Sequence, residues 1–151
     1  MTKMTDNQAC DLSNRNCEPC QGGIPPLSLK DVKGMMDELH NDWQLSSDGK
    51  EISRAFKFKG FARAVQMANL IAWVGDQQGH HPDIAFGWGY CSLKFTTHEI
   101  SGLSTNDFIC AAKLDHIVDN TWAILQDNQA ELLGWPLQRP VIFDSGRIWR
   151  Q

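Results

Sequence analysis

The chain lacks any apolar stretch approaching the roughly 20 residues that a membrane-spanning helix needs, and its N-terminus, MTKMTDNQACDLSNRN, has no apolar signal-peptide core. It also lacks a segment rich in lysine and arginine, and 14 Lys and Arg against 18 Asp and Glu give a net charge of −4. Such a chain is poorly suited to binding the phosphate backbone of nucleic acids. We therefore expect a soluble, cytoplasmic protein that associates with neither membranes nor nucleic acid.

Cysteine is scarce and odd in number, with five residues in a chain of 151. Cys91 and Cys110 fall within apolar patterns, where buried free thiols are common. A framework of disulfide bonds is therefore not expected, and the length suits a single domain with a substantial core.

The first 27 residues are polar and aperiodic, and they end in paired glycines and prolines that interrupt regular structure. We expect residues 1–27 to form a partly ordered arm with exposed thiols. An alternative is a zinc site, because Cys10, Cys17 and Cys20 could supply three thiolates. Neither a second cysteine pair nor a nearby histidine completes the four ligands that zinc prefers, so the arm is favoured.

The rest of the chain alternates between helical and strand periodicity. Capping boxes begin helices at Ser28 and Ser104, and Gly89-Tyr90 is predicted to turn a hairpin. The predicted elements are helix 28–40, strands 43–45 and 52–58, helix 61–76, hairpin strands 84–88 and 91–95, and a helix from 105 to about 134. The order α-β-β-α-β-β-α has no long strand–helix–strand repeat, so it predicts an α+β fold with an antiparallel sheet. The organised domain is predicted to cover residues 28–125.

The second predicted helix is apolar over more than one face, and it includes Phe61, Leu70 and Trp73. Such a helix needs a second partner besides the sheet. Another subunit, a loop or the C-terminal segment could provide it. Residues 126–151 are predicted as an extension whose apolar content favours an extended segment packed on the domain or on a neighbouring subunit.

The histidines are concentrated at the ends of predicted elements. His80 and His81 stand where the second helix meets the hairpin, and His98 stands where the hairpin ends. Loops at element ends are where functional groups collect, and histidine both donates and accepts protons near neutral pH. This arrangement favours acid–base chemistry.

The spacing of these residues resembles the signature of the pterin-4a-carbinolamine dehydratases. The matching positions are Asp76, His80-His81-Pro82, Trp88, His98 and Asp107. The segment THEISGLSTND (97–107) and the pair Asp42-Trp43 are also similar to that family, and the likeness covers about residues 28–122.

The resemblance implies a four-stranded antiparallel sheet packed against three helices, and a homodimer or homotetramer built through the sheet and the second helix. It implies loss of water from a 4a-hydroxytetrahydropterin, the product of aromatic amino acid hydroxylases, with no metal or organic cofactor. The product would be a quinonoid dihydropterin, which a reductase recycles.

The resemblance implies a catalytic set of His80, His81 and His98, and a set that binds or orients the substrate: Asp76, Pro82, Trp88, Thr97 and Asp107. For three residues of the substrate-binding set, a purely structural role is an alternative. Asp107 suits a helix cap, Asp76 suits a solvated helix end, and Trp88 suits the core or a pocket wall.

Two other functions stay open. Three histidines and an aspartate could bind zinc in a metallohydrolase, although adjacent histidines do not easily face one ion. The chain could instead be a non-catalytic pterin-binding or protein-interaction module, because animal members of the family also act as dimerisation partners of a transcription factor.

Overall fold

The computed structural model describes residues 12–19 and 25–126, with side chains to residue 120. Cys10, Cys20 and the C-terminal extension lie outside these residues. Contacts group the chain into two units, Met1–Val118 and Asp119–Gln151. The described part of the second unit, residues 119–126, is helical.

Seven main elements follow one another in the predicted order α-β-β-α-β-β-α. They are α1 Leu29–Met36, β1 Gln44–Leu45, β2 Ile52–Lys57, α2 Phe61–Gln78, β3 Asp83–Gly87, β4 Tyr90–Phe95 and α3 Thr105–Gln126. The sheet is antiparallel throughout, with strand order β1-β2-β4-β3. The predicted α+β fold, with four antiparallel strands and three helices, is confirmed. No helix in the described part of the chain is long and apolar enough to cross a bilayer.

The core lies between one face of the sheet and the helices. Successive side chains of a strand point to opposite faces, so alternate residues of β4 enter the core together. The buried residues of β4 are Cys91, Leu93 and Phe95, and Ile52 of β2 pairs with Phe95. They share one apolar cluster with Ile71 and Val74 of α2 and Phe108, Cys110 and Leu114 of α3.

Helix α1 starts as predicted but ends sooner. The Ser28 hydroxyl accepts a hydrogen bond from the Asp31 N–H at 3.2 Å, which caps the first turn. The helix ends at Met36 rather than near His40. Beyond it, the Leu39 N–H donates a hydrogen bond to the Met36 carbonyl, and the His40 N–H donates one to the Asp115 carboxylate of α3. A tertiary contact therefore overrides the helical pattern.

The β3–β4 turn lies one residue earlier than predicted. Trp88 and Gly89 form it, and Tyr90 already belongs to β4. Gly89 has φ of 83°, a conformation that glycine adopts far more readily than tyrosine does. Trp88 is 75% exposed, so the expectation that it joins the core is wrong for this chain. A role in a pocket wall stays a prediction.

Residues 12–19 pack against the domain. Leu12 is 3% exposed and belongs to the main core cluster. Cys17 is half-buried and also contacts this core. The prediction of exposed thiols is therefore wrong for Cys17, while the domain boundaries stay a prediction.

A buried ion pair joins distant elements of the fold. Arg54 occupies an inward position of β2, is 5% exposed and pairs with Asp115 of α3. The Asp115 carboxylate also accepts hydrogen bonds from Trp43 Nε1 at 2.8 Å and from the His40 N–H at 2.9 Å. Periodicity did not predict this cluster, because an arginine at an apolar strand position has no local signal of its distant partner. One carboxylate thus connects α3 to β2 and to the segment before β1.

We predict that Asp115→Asn lowers the free energy of unfolding by about 3–5 kcal/mol, because it removes the buried counter-charge of Arg54 and leaves only the exposed Asp42 carboxylate. Urea denaturation of the purified variant measures this. Asp42→Asn is the matched control: Asp42 is 63% exposed and 3.7 Å from Arg54, so its loss should cost about 0–1 kcal/mol. Equal, small losses in both variants would contradict the role of burial.

Candidate active site

The end of α2 orients the two adjacent histidines. Gly79 closes the helix in the left-handed conformation, with φ of 62°, and its N–H bonds to the Asp76 carbonyl. The His80 N–H then returns to the Gly75 carbonyl at 3.0 Å. This turn buries His80, which is 5% exposed, whereas the His81 side chain is 68% exposed.

Gly75 allows the chain to fold back tightly after the helix. A Cβ atom at this position would lie 2.7 Å from Pro82 Cδ and 3.1 Å from the His80 carbonyl oxygen. Both distances are shorter than ordinary van der Waals contact, so a larger residue would displace the His-His-Pro segment. The packing of Pro82 on Gly75 therefore helps to hold the two histidines in place.

Asp107 is the centre of the buried part of the site. It is 0% exposed, and its Oδ1 lies 2.7 Å from His80 Nε2. Its Oδ2 accepts hydrogen bonds from Thr97 Oγ1 and from the Ser104 N–H, each at 2.8 Å. A buried carboxylate needs such partners, because an unpaired charge in the core is very costly. The contacts join the end of α2, the exit from β4 and the start of α3.

The same carboxylate also caps α3. The hydrogen bond from the Ser104 N–H to the Asp107 carboxylate is one half of the predicted capping box. The Asp107 N–H bonds to the Ser104 carbonyl rather than to its hydroxyl. The cap and the histidine contact use different oxygens of one side chain. Asp107 therefore combines the predicted structural role with a contact to His80, and its role in binding or orienting the substrate stays a prediction.

The surroundings of His80 favour its protonated form. Burial lowers the pKa of the His80 ring, but the hydrogen bond to Asp107 and the negative charge of that carboxylate outweigh burial. The pKa of His80 is consequently raised above its ordinary value. The ring also stacks on Phe95, with centroids 5.9 Å apart and planes at 12°, which restricts its orientation.

The other predicted residues lie on the exposed side of these loops. His81 Nε2 is 3.8 Å from the Asp76 carboxylate, and both side chains are exposed. His98 is exposed at the start of a short 3-10 turn, His98–Ile100, directly after buried Thr97. Backbone hydrogen bonds between Thr97 and Gly102 close this loop.

Trp88 is distant from this cluster within one chain. It follows β3, whereas Pro82 precedes it, and the five residues of β3 span about 17 Å. Its contribution to the site therefore stays a prediction.

Sequence reasoning missed Ser104 and Gly75 as site residues. Ser104 donates its N–H to Asp107, and its hydroxyl lies 2.7 Å from the Thr97 hydroxyl. Its position at the start of a capping box was a usable signal. Gly75 carried no comparable signal, because a glycine within a helical pattern does not identify the residue that packs on it.

A cavity of about 550 Å³ adjoins the Asp107 cluster. Thr97 and Ser104 contribute to its wall, together with the start of α3 and residues of the 12–19 segment. Within residues 12–19 and 25–126, no group of three or more His, Cys, Asp or Glu side chains is arranged to hold a metal ion.

We predict that Asp107→Asn lowers the pKa of His80 relative to the wild type, because it removes the charge that most strongly opposes burial and leaves only the smaller effects of Cys17 and Glu99. NMR titration of the ring measures it. Thr97→Val is the control: it removes a hydrogen bond to Asp107 but keeps the carboxylate charge, so the pKa should stay raised.

The stability of the wild type should follow the same ionisation. A raised folded-state pKa stabilises the fold fully below the unfolded value of about 6.5, and this contribution is lost as pH rises through the folded pKa. The difference in unfolding free energy between wild type and Asp107→Asn should therefore be larger near about pH 5.5 than near about pH 8.5. A difference independent of pH would contradict the assignment.

The chain is similar to known proteins in sequence and in fold. The family model described as "Pterin 4 alpha carbinolamine dehydratase" matches residues 25–117. A Nitrosomonas eutropha protein named "Putative pterin-4-alpha-carbinolamine dehydratase" is 45% identical over 109 residues, which cover 72% of this chain and 95% of the relative. A Methylococcus capsulatus protein of the same name is 42% identical over 109 residues, again 72% of this chain and 95% of the relative.

Among solved structures, a Brucella melitensis protein described as "transcriptional coactivator/pterin dehydratase" aligns with a TM-score of 0.56 and 25% identity. The alignment covers 61% of this chain and 97% of that protein. The family match includes the His80–Asp107 pair and the whole sheet. The chain therefore belongs to the pterin-4-alpha-carbinolamine dehydratase family.

Proposed function

We propose that this protein is a hydro-lyase that removes water from 4a-hydroxytetrahydropterin to give quinonoid dihydropterin. Membership of the family supports this activity. The observation that carries the proposal is the 2.7 Å contact between His80 and the fully buried Asp107. A paired, protonatable histidine beside exposed His81 is an arrangement suited to proton transfer.

The chemistry requires one proton to be delivered and another to be removed. Hydroxide is a poor leaving group, so a protonated imidazole donates a proton as the C–O bond breaks. A neutral imidazole accepts the proton lost from the ring nitrogen. General acid–base catalysis of this kind contributes about 10²–10⁴-fold, and the reaction as proposed uses no metal or organic cofactor.

In this proposal His80, His81 and His98 form the acid–base set. His81 and His98 are exposed and can reach a substrate. Asp107 orients the His80 ring and stabilises its protonated form. Asp76, Pro82, Trp88 and Thr97 bind or orient the pterin or the catalytic loops. The substrate would come from an aromatic amino acid hydroxylase, and the reaction would serve recycling of a tetrahydrobiopterin-type cofactor.

We predict that His98→Ala lowers kcat for carbinolamine dehydration by about 10²-fold or more, through loss of one proton-transfer group. A spectrophotometric assay with chemically generated 4a-hydroxytetrahydropterin measures it. The control is His116→Ala on α3, because His116 is an exposed histidine outside the family motif. It should retain wild-type turnover, and both variants should melt like the wild type.

Two results would overturn the proposal. One is near wild-type turnover in a folded His98→Ala variant, which would remove His98 from the chemistry. The other is an inactive wild type that still binds a reduced pterin, which would favour the non-catalytic module. That second function is the main alternative, because the Brucella melitensis protein is described as a transcriptional coactivator as well as a dehydratase.

We also propose that the protein is a homodimer or homotetramer. Helix α2 buries Met67, Ile71 and Val74 but leaves Phe61 52% exposed and Trp73 55% exposed. The β3–β4 hairpin adds exposed Phe86, which packs against Phe61 with ring centroids 6.3 Å apart. The exposed Phe61–Phe86 pair and the exposed ring of Trp73, further along the same helix, favour contacts with another chain.

We predict that Trp73→Glu lowers the oligomeric state, because a carboxylate is costly in an apolar interface. Light scattering at micromolar concentration measures the mass. Trp73→Phe is the matched control, since it keeps an apolar ring and should keep the wild-type mass. A monomeric wild type would refute the interface.

A further inference from the structure

Hydrogen bonds attach the segment of residues 12–19 to two helices. The Asn106 side chain accepts from the Glu18 N–H at 3.1 Å and donates to the Glu18 carbonyl at 2.7 Å. Gln78 of α2 accepts from the Cys17 N–H at 3.1 Å, and Lys113 donates to the Ser13 carbonyl at 2.9 Å. Cys17 is therefore held between the end of α2 and the first turns of α3.

This attachment places two cysteines in contact. Cys17 Sγ lies 3.6 Å from Cys110 Sγ, although the residues are 93 positions apart in the chain. A disulfide bond has an S–S length of about 2.05 Å, so small side-chain rotations must bring the sulfurs closer. Cys17 is half-buried and Cys110 is fully buried, so a small solute reaches Cys17 more readily.

The surroundings give the two sulfurs different reactivity. The hydrogen bond between the two sulfurs lowers the pKa of Cys17, and the charges of His80 and Lys113 lower it further. Burial and the charge of Asp107 act in the opposite direction. The pKa of Cys110 is raised by the same hydrogen bond and by burial. The thiolate is the reactive form of cysteine, so Cys17 is the nucleophile of the pair.

We propose that Cys17 and Cys110 are a reactive cysteine pair that a peroxide converts into an intramolecular disulfide bond. This modification site goes beyond the proposed dehydratase activity, and its detection does not require that activity. It uses Cys17, the first cysteine of the Cys17-x-x-Cys20 motif, to which the dehydratase reaction gives no role.

The reaction balances in two steps with hydrogen peroxide as oxidant. The Cys17 thiolate attacks one peroxide oxygen, the O–O bond breaks, and the hydroxide released takes up a proton to form water. The Cys17 sulfenic acid is then attacked by the Cys110 sulfur. The S–S bond forms, the S–O bond breaks, and the leaving hydroxide combines with the Cys110 proton as a second water.

The disulfide would connect the 12–19 segment covalently to α3. That segment supplies part of the wall of the 550 Å³ cavity beside Thr97 and Ser104. A cross-link between residues this far apart restricts the unfolded chain strongly. Oxidation should therefore raise the melting temperature, by about 5–10 °C, and hold that wall of the cavity in place.

The first test is peptide mapping of the full chain. Reduced protein is treated with a stoichiometric amount of hydrogen peroxide, alkylated under denaturing conditions, digested and analysed by mass spectrometry. We expect a peptide pair joined through Cys17 and Cys110 that dithiothreitol separates. A Cys17–Cys20 disulfide as the main product, or free alkylated thiols at both Cys17 and Cys110, would overturn the proposal.

Variants separate the two sulfurs. In Cys110→Ala, oxidation should stop at a Cys17 sulfenic acid that dimedone traps, and the rise in melting temperature should disappear. Cys91→Ala is the matched control, because Cys91 is another fully buried cysteine; it should keep the cross-link and the rise. A Cys17–Cys20 disulfide in oxidised Cys110→Ala, together with no disulfide at Cys17 in oxidised Cys20→Ser, would assign the reaction to the Cys17-x-x-Cys20 motif and refute the proposed pair.

Discussion

The buried carboxylate of Asp107 is the constraint on which the site depends. A fully buried carboxylate is stable only where hydrogen-bond donors and positive charge surround it. Here the donors come from His80, Thr97 and Ser104, so satisfying one side chain fixes where α2 ends, how the chain leaves β4 and where α3 begins. The exposed residues His81 and His98 directly follow His80 and Thr97 in the chain, so the buried contacts also fix their positions. The chemistry of the site therefore depends on a structural requirement of the core.

Helix α3 carries a second buried carboxylate about two turns further on. Asp115 lies about 12 Å along the helix from Asp107, and it binds Arg54, Trp43 and the backbone of His40. The two carboxylates bind different parts of the fold. Asp107 binds the loops that carry the histidines, and Asp115 binds β2 and the chain before β1. Between them, Cys110 faces Cys17, so α3 also anchors the N-terminal segment. One helix thus connects most elements of the first unit.

For the adjacent histidines, the sequence predicted their location but not their different burial. The spacing of the motif identified both residues, and the junction between the helical pattern and the hairpin placed them at a helix end, as the structure has them. It did not distinguish them, yet His80 is 5% exposed and paired while the His81 side chain is 68% exposed. The end of α1 and the hairpin turn were each misjudged, the first by four residues and the second by one, because tertiary contact and the φ of Gly89 decided them.

What the sequence by itself determined is local. The order of helices and strands, the caps at Ser28 and Ser104 and the family motif follow from periodicity and from side chains a few residues apart. What only the tertiary structure decided are contacts across long separations: His80 with Asp107 over 27 residues, Arg54 with Asp115 over 61 and Cys17 with Cys110 over 93. The physical reason is that charge pairing and burial depend on which surfaces meet after folding, and a local pattern contains no information about a distant partner.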